Sequence, residues 1–590
     1  MAKMTKQKDS IFDPIIHQAL NEFKSMKLDK NSLCIIPYDY LPFIECLLSI
    51  NVLGKAFSKV ITFEEALSLE ESSINLNEII SIVPNEPEVI KELCQYYKKL
   101  PNKRRTILIS PVYDRLSQIA VENSGIESEI MIIEFHADLI AIENYEFLVP
   151  TPHCFRHVFA EKKIEDLRTI SRALVKIEAI NGIFPKIYTF GPMSSRVKHI
   201  MNEMKEHISI SVFDEEPSFS SLIILDRTCD LFTPLMTEFT YEGILYENLS
   251  IRNNILNLPT ELNQGNERII LNNTDKVYRE LRGMQLSDAV EVACSEISAI
   301  DRTKKALIPG LDTNQFKTHA INAKRLAEIK PRLNLHLDIM NYLAMIKSLD
   351  NRFKDTIEFE YRTQVGIDVE PPYSDNFMLT DRYWDEAIRQ YCIECIYNRG
   401  LSKKKLHLIR RRIIERFGMK AFDDILNLEK VNLLTNKVPF YDLFSKHLPT
   451  WEQTKKLFNL MVSPDKKDDF GSFYDGGYVP LICRLVEETV LGKIGHTKKW
   501  FLEKNQTPFS TPPIDFSNFF KNKEANKSQN QKIMVFVIGG VVPTEVSIIK
   551  SMGLKLFQGA IDFYVGATSV TSGKALVREL CPTVRRGIEK

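Results

Sequence analysis

Two cysteines with a metal-ligand spacing are the first feature of this sequence that could carry chemistry. Cys392 and Cys395 fit the Cys-x-x-Cys form, but a zinc site needs about four ligands. No second cysteine pair or histidine pair lies near them, and the surrounding segment 387–400 has helical periodicity. We therefore expect two structural thiols on a helix and no metal site.

Two glycine-containing segments superficially resemble nucleotide-binding loops. Gly566 and Gly573-Lys574 are separated by six residues and an alanine follows the lysine, whereas a phosphate loop needs four residues between its glycines and a Ser or Thr after the lysine. Gly539 and Gly540 follow an apolar run without the rest of a dinucleotide fingerprint. The segments are typical of turns at strand ends.

An acidic residue at the end of an apolar run is the remaining catalytic candidate. Asp226 stands where α/β enzymes often keep functional groups, and the histidines and serines form neither an HExxH motif nor a GxSxG elbow. We expect Asp226 and Asp230 to cap the following turn and Arg227 to pair with an acid. The alternative is a nucleotide-dependent enzyme that uses a crevice near Asp226 and Gly539.

A basic helix is the other candidate surface. Lys403–Lys405 and Arg410–Arg412 share a predicted helix with the apolar Ile409 and Ile413. The basic side chains are either a solvated helix face or a contact for an acidic partner or anionic lipid, where each charge near the surface contributes about 1 kcal/mol.

The composition places these residues in a large globular protein. The chain has 590 residues, with 44% hydrophobic and 26% charged residues, and at roughly 100–200 residues per domain this length predicts about three to five units. Lysine plus arginine equals aspartate plus glutamate at 77 each, which argues against a dedicated nucleic-acid binder. We expect no signal peptide, no membrane-spanning segment and ten reduced cysteines of a cytosolic protein.

Apolar runs alternate with amphipathic segments in the first part of the chain. Continuous β-branched runs separated by helices predict a parallel sheet covered on both faces, and we assign residues 1–150 to a first α/β domain. The runs are 32–37, 59–63, 78–83, 104–110 and 129–135.

A second α/β domain is predicted to be split by a long insertion. Leu222–Leu225, Val535–Ile538 and Phe563–Val565 read as buried strands of one sheet. We assign 151–245 and 501–590 to this domain and 246–500 to a mainly helical insertion. Its candidate helices are Leu286–Ile300, Phe316–Ile329, Leu333–Leu349 and Ser402–Phe417. The polar stretch 504–531 is predicted to be a flexible loop.

Several segments together resemble the SM family, the Sec-one/Munc-eighteen-like proteins. The strongest is 221–249, in which a buried strand is followed by Asp-Arg, Asp-Leu-x-Thr-Pro-Leu and a Thr-Tyr helix start. It contains Asp226, Arg227, Asp230, Leu231, Thr233, Pro234, Leu235, Thr240 and Tyr241. Segment 173–191 resembles the family's helix–Gly–x–x–Pro–x–Ile segment. Segment 137–148 resembles its Asp-Leu-x-Ser-Leu-Glu segment, with Ala141 and Ile142 in place of Ser-Leu.

Later segments resemble the class C vacuolar-sorting branch of the family. They are 418–434, 473–487 with Gly477, Tyr478 and Pro480, and 535–550 with Gly539 and Gly540. The resemblance implies an arch of two parallel-sheet α/β domains and a helical domain, without a catalytic centre, metal or cofactor. It also implies the SM subunit of the HOPS and CORVET tethering complexes. Such a subunit is cytoplasmic, docks an α-solenoid subunit on domains 2 and 3, binds no nucleic acid, and reaches late endosome, vacuole or lysosome membranes through its partners.

The family holds SNARE proteins in a cleft between domains 1 and 3, so the resemblance points to the domain 3 hairpin at about 304–340. Pro309 and Gly310 are expected near its tip, and Pro331 is expected to interrupt the helix. The apolar side chains could instead pack internally, and the basic ones could form a solvated face. The candidate contacts are Phe316, Ile321, Leu326, Lys317, Lys324, Arg325, Lys330 and Arg332.

Overall fold

A computed structural model of the chain describes most of its length. The described residues are 11–26, 28–69, 76, 78–100, 102–151, 153–208, 215–249, 251–252, 255–262, 268–271, 275–305, 313–350, 352–367, 370–372, 383–437, 451–462, 470, 477–492 and 530–588. Within these ranges, the backbone alone is described at 49–51, 252, 268, 303–305, 313–328 and 586–588.

The strands and helices are numbered in chain order. The strands are β1 Ser32–Ile36, β2 Lys59–Thr62, β3 Glu78–Pro84, β4 Arg104–Ser110, β5 Ile130–Glu134, β6 Ile140–Glu143, β7 Glu146–Leu148, β8 Ile187–Phe190, β9 Ser221–Asp226, β10 Ile251–Arg252, β11 Ile255–Asn257, β12 Arg268–Ile270, β13 Gln531–Ile538 and β14 Ile561–Ala567. The helices are α1 Asp13–Ser25, α2 Leu41–Ala56, α3 Phe63–Ser68, α4 Pro87–Tyr97, α5 Arg115–Glu122, α6 Glu165–Asn181, α7 Pro192–Glu206, α8 Tyr241–Asn248, α9 Lys276–Leu281, α10 Leu286–Lys305, α11 Thr313–Leu349, α12 Phe353–Val365, α13 Trp384–Asn398, α14 Lys403–Phe417, α15 Phe422–Lys430, α16 Trp451–Leu457, α17 Leu481–Val490, α18 Pro543–Lys555, α19 Gly573–Leu580 and α20 Pro582–Ile588.

The first sheet is parallel throughout and has the order β2-β1-β3-β4-β5. All five predicted apolar runs form its strands, so this prediction is confirmed. The central strands β1 and β3 are buried along their whole length, because parallel sheets carry helices on both faces.

The second sheet has the order β6-β7-β14-β13-β9-β8. Its two central strands come from distant parts of the chain, and Ile223 of β9 lies opposite Val535 of β13 in parallel register. The prediction that Leu222–Leu225, Val535–Ile538 and Phe563–Val565 share one sheet is therefore confirmed. β7 pairs with β14, so segment 140–148 belongs to this sheet rather than the first. The exact domain boundaries stay a prediction.

The described residues between β9 and β13 are mainly helical, as predicted, and add a small antiparallel sheet β10-β11-β12. The two candidate helices on either side of Pro331 form one helix, α11, so the predicted interruption is wrong. Proline removes one helical hydrogen bond, but ion pairs on both sides fix this helix. Lys330 pairs with Asp301 at 2.5 Å, and His336 with Asp275 at 3.0 Å.

Helix α14 follows the sequence prediction closely. Ser402 caps its first turn by accepting a hydrogen bond from the Lys405 amide at 3.3 Å, and Gly418 ends it with a φ of +80°. Leu406, Ile409 and Ile413 are buried, which leaves the basic side chains on the outer side.

The largest hydrophobic core spans the six-stranded sheet and reaches both its neighbours. It includes Ile36 and Ile80 of the first sheet, Ile223 and Phe536 of the second, and Leu485 of the insertion. Within the described residues, no helix is both long and apolar enough to span a membrane.

Candidate functional site

The carboxylate of Asp226 lies at the end of β9 and caps a helix. Its two oxygens accept hydrogen bonds from the backbone amides of Met193 at 2.8 Å and Ser194 at 2.6 Å. Asp226 therefore caps α7, and the expectation that it caps the following turn is wrong. The pairing of β8 beside β9 brings the free amides of α7 to this carboxylate. Burial raises the pKa of Asp226 to about 7, against the two amide hydrogen bonds.

Arg227 is fully buried and pairs with an acid from the other half of the split domain. Its Nη1 donates to Glu545 Oε2 at 2.7 Å, and its Nε donates to the carbonyl of Asp230 at 2.9 Å. Burial lowers the pKa of Arg227, but the fields of Glu545 and Asp230 outweigh it and the pKa is raised. The expected acid partner is thus present, but it is too distant in the sequence to be identified from the sequence alone.

Asp230 ties the end of β9 to the insertion. It accepts hydrogen bonds from the amide and the hydroxyl of Thr233, at 2.9 and 2.5 Å, as expected for a capped turn. It also accepts the amide of Leu481 at 3.0 Å, which begins α17. The Thr233 hydroxyl lies 2.7 Å from Tyr478 Oη, so both resemblance segments meet in one place.

Further motif residues extend this buried junction. Tyr241 Oη lies 2.8 Å from His336 Nδ1, and His336 Nε2 lies 3.0 Å from Asp275, which joins α8 and α9 to α11. Pro234 is buried in a short helical turn, and Pro480 precedes α17. These contacts indicate that segment 221–249 connects the split sheet to the helical insertion.

The glycine pair after β13 sits in a filled space. A side chain on Gly539, whose φ is +95°, would lie within 3.0 Å of Phe155, Arg227 and Phe159. A side chain on Gly540, with φ +100°, would lie 2.9 Å from the Ser569 hydroxyl. Neither glycine therefore has room for a side chain, and the positive φ values indicate that both serve the turn after β13.

The cysteine pair lies on α13, where both thiols are buried and burial raises their pKa values. Across the part of the chain that the structure describes, no group of three His, Cys, Asp or Glu side chains is arranged to hold a metal ion.

Sequence reasoning missed two other buried charge clusters. Arg389 contacts Glu386 and Glu360, at 2.5 and 2.9 Å. Arg282 pairs with Glu143, Glu146 and Glu242, each within 2.8 Å. A charged residue at a position that helical periodicity predicts to be buried is the only signal that could have indicated them.

A cleft extends from the carboxyl end of the first sheet, past segments 153–163 and 569–585, to α8 and the end of α11. It consists of two adjoining cavities of about 460 and 560 Å³ that share Asp39, His153, Arg578, Glu579 and Arg585. We call the smaller one the inner cavity and the larger one the sheet-end cavity. The inner cavity is also lined by α8 residues 246–248 and by Ile346, Lys347 and Asp350 at the end of α11.

The hairpin predicted to contact SNAREs is formed by α10 and α11. Pro309 and Gly310 lie outside the described residues, and the side chains of Phe316, Lys317, Ile321, Lys324, Arg325 and Leu326 do too, although their backbone belongs to α11. Lys330 is half-buried against Asp301, and Arg332 is half-exposed at 3.8 Å from Asp275. Lys330 therefore connects α11 to α10, and Arg332 lies near the residue that caps α9.

Comparison with known protein families assigns the chain to one family. A profile of the Sec1 family matches residues 46–579, so the chain belongs to the Sec1 family, whose members are called SM proteins. Solved structures share the whole architecture. Vps45 in complex with the Qa SNARE Tlg2 has a TM-score of 0.55 at 15% identity and covers 98% of both chains. The Unc18–syntaxin 1 complex of Monosiga brevicollis has a TM-score of 0.56 at 14% identity, covering 97% of this chain and 99% of that one.

Sequence relatives point to one branch of the family. Vacuolar protein sorting-associated protein 33A of Rattus norvegicus is 23% identical over 81% of this chain and 80% of its own length. The corresponding Arabidopsis thaliana homolog is 23% identical over 78% of each chain. The Schizosaccharomyces pombe protein is 21% identical over 85% of this chain and 86% of its own.

Proposed function

We propose that this protein regulates intracellular membrane fusion by binding SNARE proteins and aligning them for assembly. The observation that carries the proposal is the Sec1-family match over residues 46–579. Two relatives of the same fold are known in complexes with a Qa SNARE and with syntaxin 1, which supports the choice of partner.

The cleft supports a mechanism based on shape. Its two cavities lead from the carboxyl end of the first sheet to the end of α11, and an amphipathic SNARE helix would lie there with its anchors at every third and fourth residue. Free SNARE segments are disordered, so ordering them costs conformational entropy. A preformed surface that orders two segments side by side lowers the barrier to their assembly. No covalent step is required.

The hairpin of α10 and α11 is the proposed second contact. Reversing charge with Lys324→Glu plus Arg325→Glu should weaken SNARE binding by about tenfold, as expected for two rim charges at about 0.5–1 kcal/mol each. Binding of the purified chain to SNARE cytosolic domains is measured by titration calorimetry. Lys403→Glu plus Lys404→Glu on α14 carries the same charge change on exposed residues and should bind normally. Equal affinity of both double variants would remove the hairpin from the proposal.

The similarity to vacuolar protein sorting-associated proteins supports membership of a class C tethering complex, HOPS or CORVET. The contact to that complex would be made through an α-solenoid subunit. A candidate contact is the corner between α14 and α15, where Met419 and Phe422 are 72% and 39% exposed. A single exposed apolar side chain is common on protein surfaces, whereas exposed apolar side chains that lie together favour a protein interface, and Met419 and Phe422 are three residues apart. The protein would then act from the cytoplasm on late endosome, vacuole or lysosome membranes, held there by its partners.

This docking surface can be tested by co-purification. Met419→Asp plus Phe422→Asp should abolish recovery of class C subunits with the tagged chain from its native cells, because a charge at the centre of an apolar contact is left unpaired. Leu554→Asp is the matched control, since Leu554 is 74% exposed on α18. Undiminished recovery with the double variant would place the contact elsewhere.

A further inference from the structure

One part of the helical insertion has a hydrophobic core of its own. Buried apolar residues of α8, β11, β12, α9, α10 and α11 form this core. The core around the split sheet takes no member from residues 240–349. We call residues 240–349 the hairpin unit, because they include the hairpin of α10 and α11. The unit therefore has the packing of a small separate body.

Polar side chains form the contact between the hairpin unit and α18. Thr544, Ser547 and Lys550 lie three residues apart on α18 and so project to one side of that helix. The Thr544 hydroxyl lies 3.3 Å from the hydroxyl of Thr240, which caps α8. A side chain on Gly283 would lie 2.9 Å from the Ser547 hydroxyl, so the two backbones approach closely. A polar contact between two bodies permits relative motion, which a large apolar interface would prevent.

Arg282 crosses this contact. It follows α9, and its Nε and Nη2 donate hydrogen bonds to Glu242 of the same unit at 2.8 and 2.7 Å. Its guanidinium also lies 2.8 Å from Glu143 and 2.8 Å from Glu146, which belong to β6 and β7 of the split sheet. Lys550 of α18 lies 2.6 Å from both of these glutamates. Arg282 therefore connects the hairpin unit to the split sheet through its charge.

The charges of this cluster do not balance. The carboxylates of Glu143, Glu146 and Glu242 contact two cations, Arg282 and Lys550. Burial raises the pKa of Glu146, but the fields of Arg282 and Lys550 outweigh burial and the pKa is lowered. The pKa of Glu242 is raised, because burial and the field of Glu146 outweigh the field of Arg282. Glu146 and Glu242 thus repel each other across the contact, and Arg282 between them offsets this repulsion.

We propose that the hairpin unit pivots as a rigid body on this polar contact, and that Arg282 is the latch that fixes the orientation seen in the structure. Hinged bodies turn at a few residues where elements end, and the chain enters the unit before α8 and leaves it after α11. Residues 246–249 and 346–347 of the unit line the inner cavity, so release of the latch changes the width of the cleft. The latch does not depend on the proposed function, and its test needs no SNARE.

Spin labels on the full chain measure the orientation of the hairpin unit. Cys294 on α10 is exposed and carries the label of the unit, and Asn202→Cys on the exposed side of α7 carries the label of the split sheet. The chain without Asn202→Cys gives the background of the other cysteines. Double electron–electron resonance should give one narrow distance for the otherwise unchanged chain. Arg282→Met should add a second distance in about a tenth of the molecules or more, because the facing carboxylates then repel each other.

Hydrogen exchange shows whether the unit stays folded while it moves. In Arg282→Met, the contact segments 141–147, 241–248 and 543–551 should exchange about tenfold faster, whereas segment 289–300 in the core of the unit should exchange as in wild type. Arg282→Met also removes the partner of Glu242 inside the unit. The double variant Glu143→Gln plus Glu146→Gln leaves that partner in place and should give the same second distance.

Lys550→Met is the matched control. It removes a buried cation from the same cluster, but Lys550 lies on the same side of the contact as Glu143 and Glu146, so Arg282 is then held more strongly. This variant should keep the single distance of wild type. A single distance in both Arg282→Met and the double variant, or a second distance in Lys550→Met as well, would overturn the latch. Faster exchange of 289–300 in both releasing variants would show that the unit unfolds instead of pivoting, and would overturn the proposal too.

Discussion

At the scale of single residues, the family motif is a set of buried charges that bind each other across long sequence distances. Arg227 and Glu545 are both fully buried and 2.7 Å apart, and Asp230 joins them to Thr233 and Tyr478. A buried ion pair adds little net stability, but losing one partner leaves an uncompensated charge. Such a pair therefore enforces one arrangement of the two halves of the split sheet.

Removing one charge of this pair should lower the free energy of unfolding much more than removing both charges does. Arg227→Met should lower the free energy of unfolding by about 3–5 kcal/mol, because Glu545 is left buried without its partner. The double variant Arg227→Met plus Glu545→Met should recover at least half of that loss. Urea unfolding followed by circular dichroism measures both.

The exposed pair Arg115–Glu122, with 67% and 41% of the side chains accessible, gives the control. Arg115→Met should change the free energy of unfolding by less than about 1 kcal/mol. A double variant as unstable as Arg227→Met alone would show that Arg227 acts through packing instead of charge.

Asp226 should make stability depend on pH in a defined direction. Its pKa is raised from 3.8 to about 7 by burial, so its contribution to stability is fully present below about pH 4 and is lost as the pH rises through 7. Asp226→Asn removes this dependence. The free energy of unfolding of the variant relative to wild type should therefore increase between pH 4 and 8, by up to about 4 kcal/mol. Urea unfolding at both pH values measures it, and a constant difference would contradict the account.

At the scale of elements, close backbone approach decides how the insertion meets the split sheet. Gly477 has a φ of +78°, and a side chain there would overlap the carbonyl oxygen of Val462. That residue's amide donates to the Gly477 carbonyl at 2.9 Å. The next residue is Tyr478, whose hydroxyl contacts Thr233. The glycine therefore positions this contact between the insertion and the split sheet.

A pair of glycine variants separates backbone strain from this overlap. Gly418 has a φ of +80° and a ψ of 177° with open space around it, so Gly418→Ala should cost only the strain of a backbone region that favours glycine, about 1–3 kcal/mol. Gly477→Ala adds the clash with the Val462 carbonyl to the strain of its own positive φ and should lower the free energy of unfolding by at least about 2 kcal/mol more. Urea unfolding compares the two, and equal losses would mean that the Val462 loop moves aside freely.

Long elements were predictable from the sequence, and so was one distant relation, the sharing of a sheet by β9 and β13. The five apolar runs of the first sheet, the buried runs that form β9 and β13, and α14 with Ser402 and Gly418 at its ends all have strong local signals. Strands of two to four residues such as β6, β7 and β10 are too short to show a period. The choice of Glu545 as the partner of Arg227 depends on tertiary packing, as does the continuity of α11 through Pro331.

At the scale of the whole molecule, a parallel sheet, a mixed sheet and the helical insertion surround two adjoining cavities, and the buried junction holds these parts together. The sheet-end and inner cavities adjoin through five shared residues. Most of the side chains that line the two cavities are polar or charged. The proposed hairpin of α10 and α11 and the corner at Met419 and Phe422 would serve different partners, so SNARE binding and complex docking should be separable by mutation.

The most direct test of this account is hydrogen exchange of the purified chain with and without SNARE cytosolic domains. The account predicts slower exchange on SNARE addition in the segments that line the cleft, 37–40, 84–92, 246–251 and 346–350, and unchanged exchange in the exposed part of α14. Saturating SNARE with no protection in any of these segments would contradict the claim that the cleft holds SNARE helices.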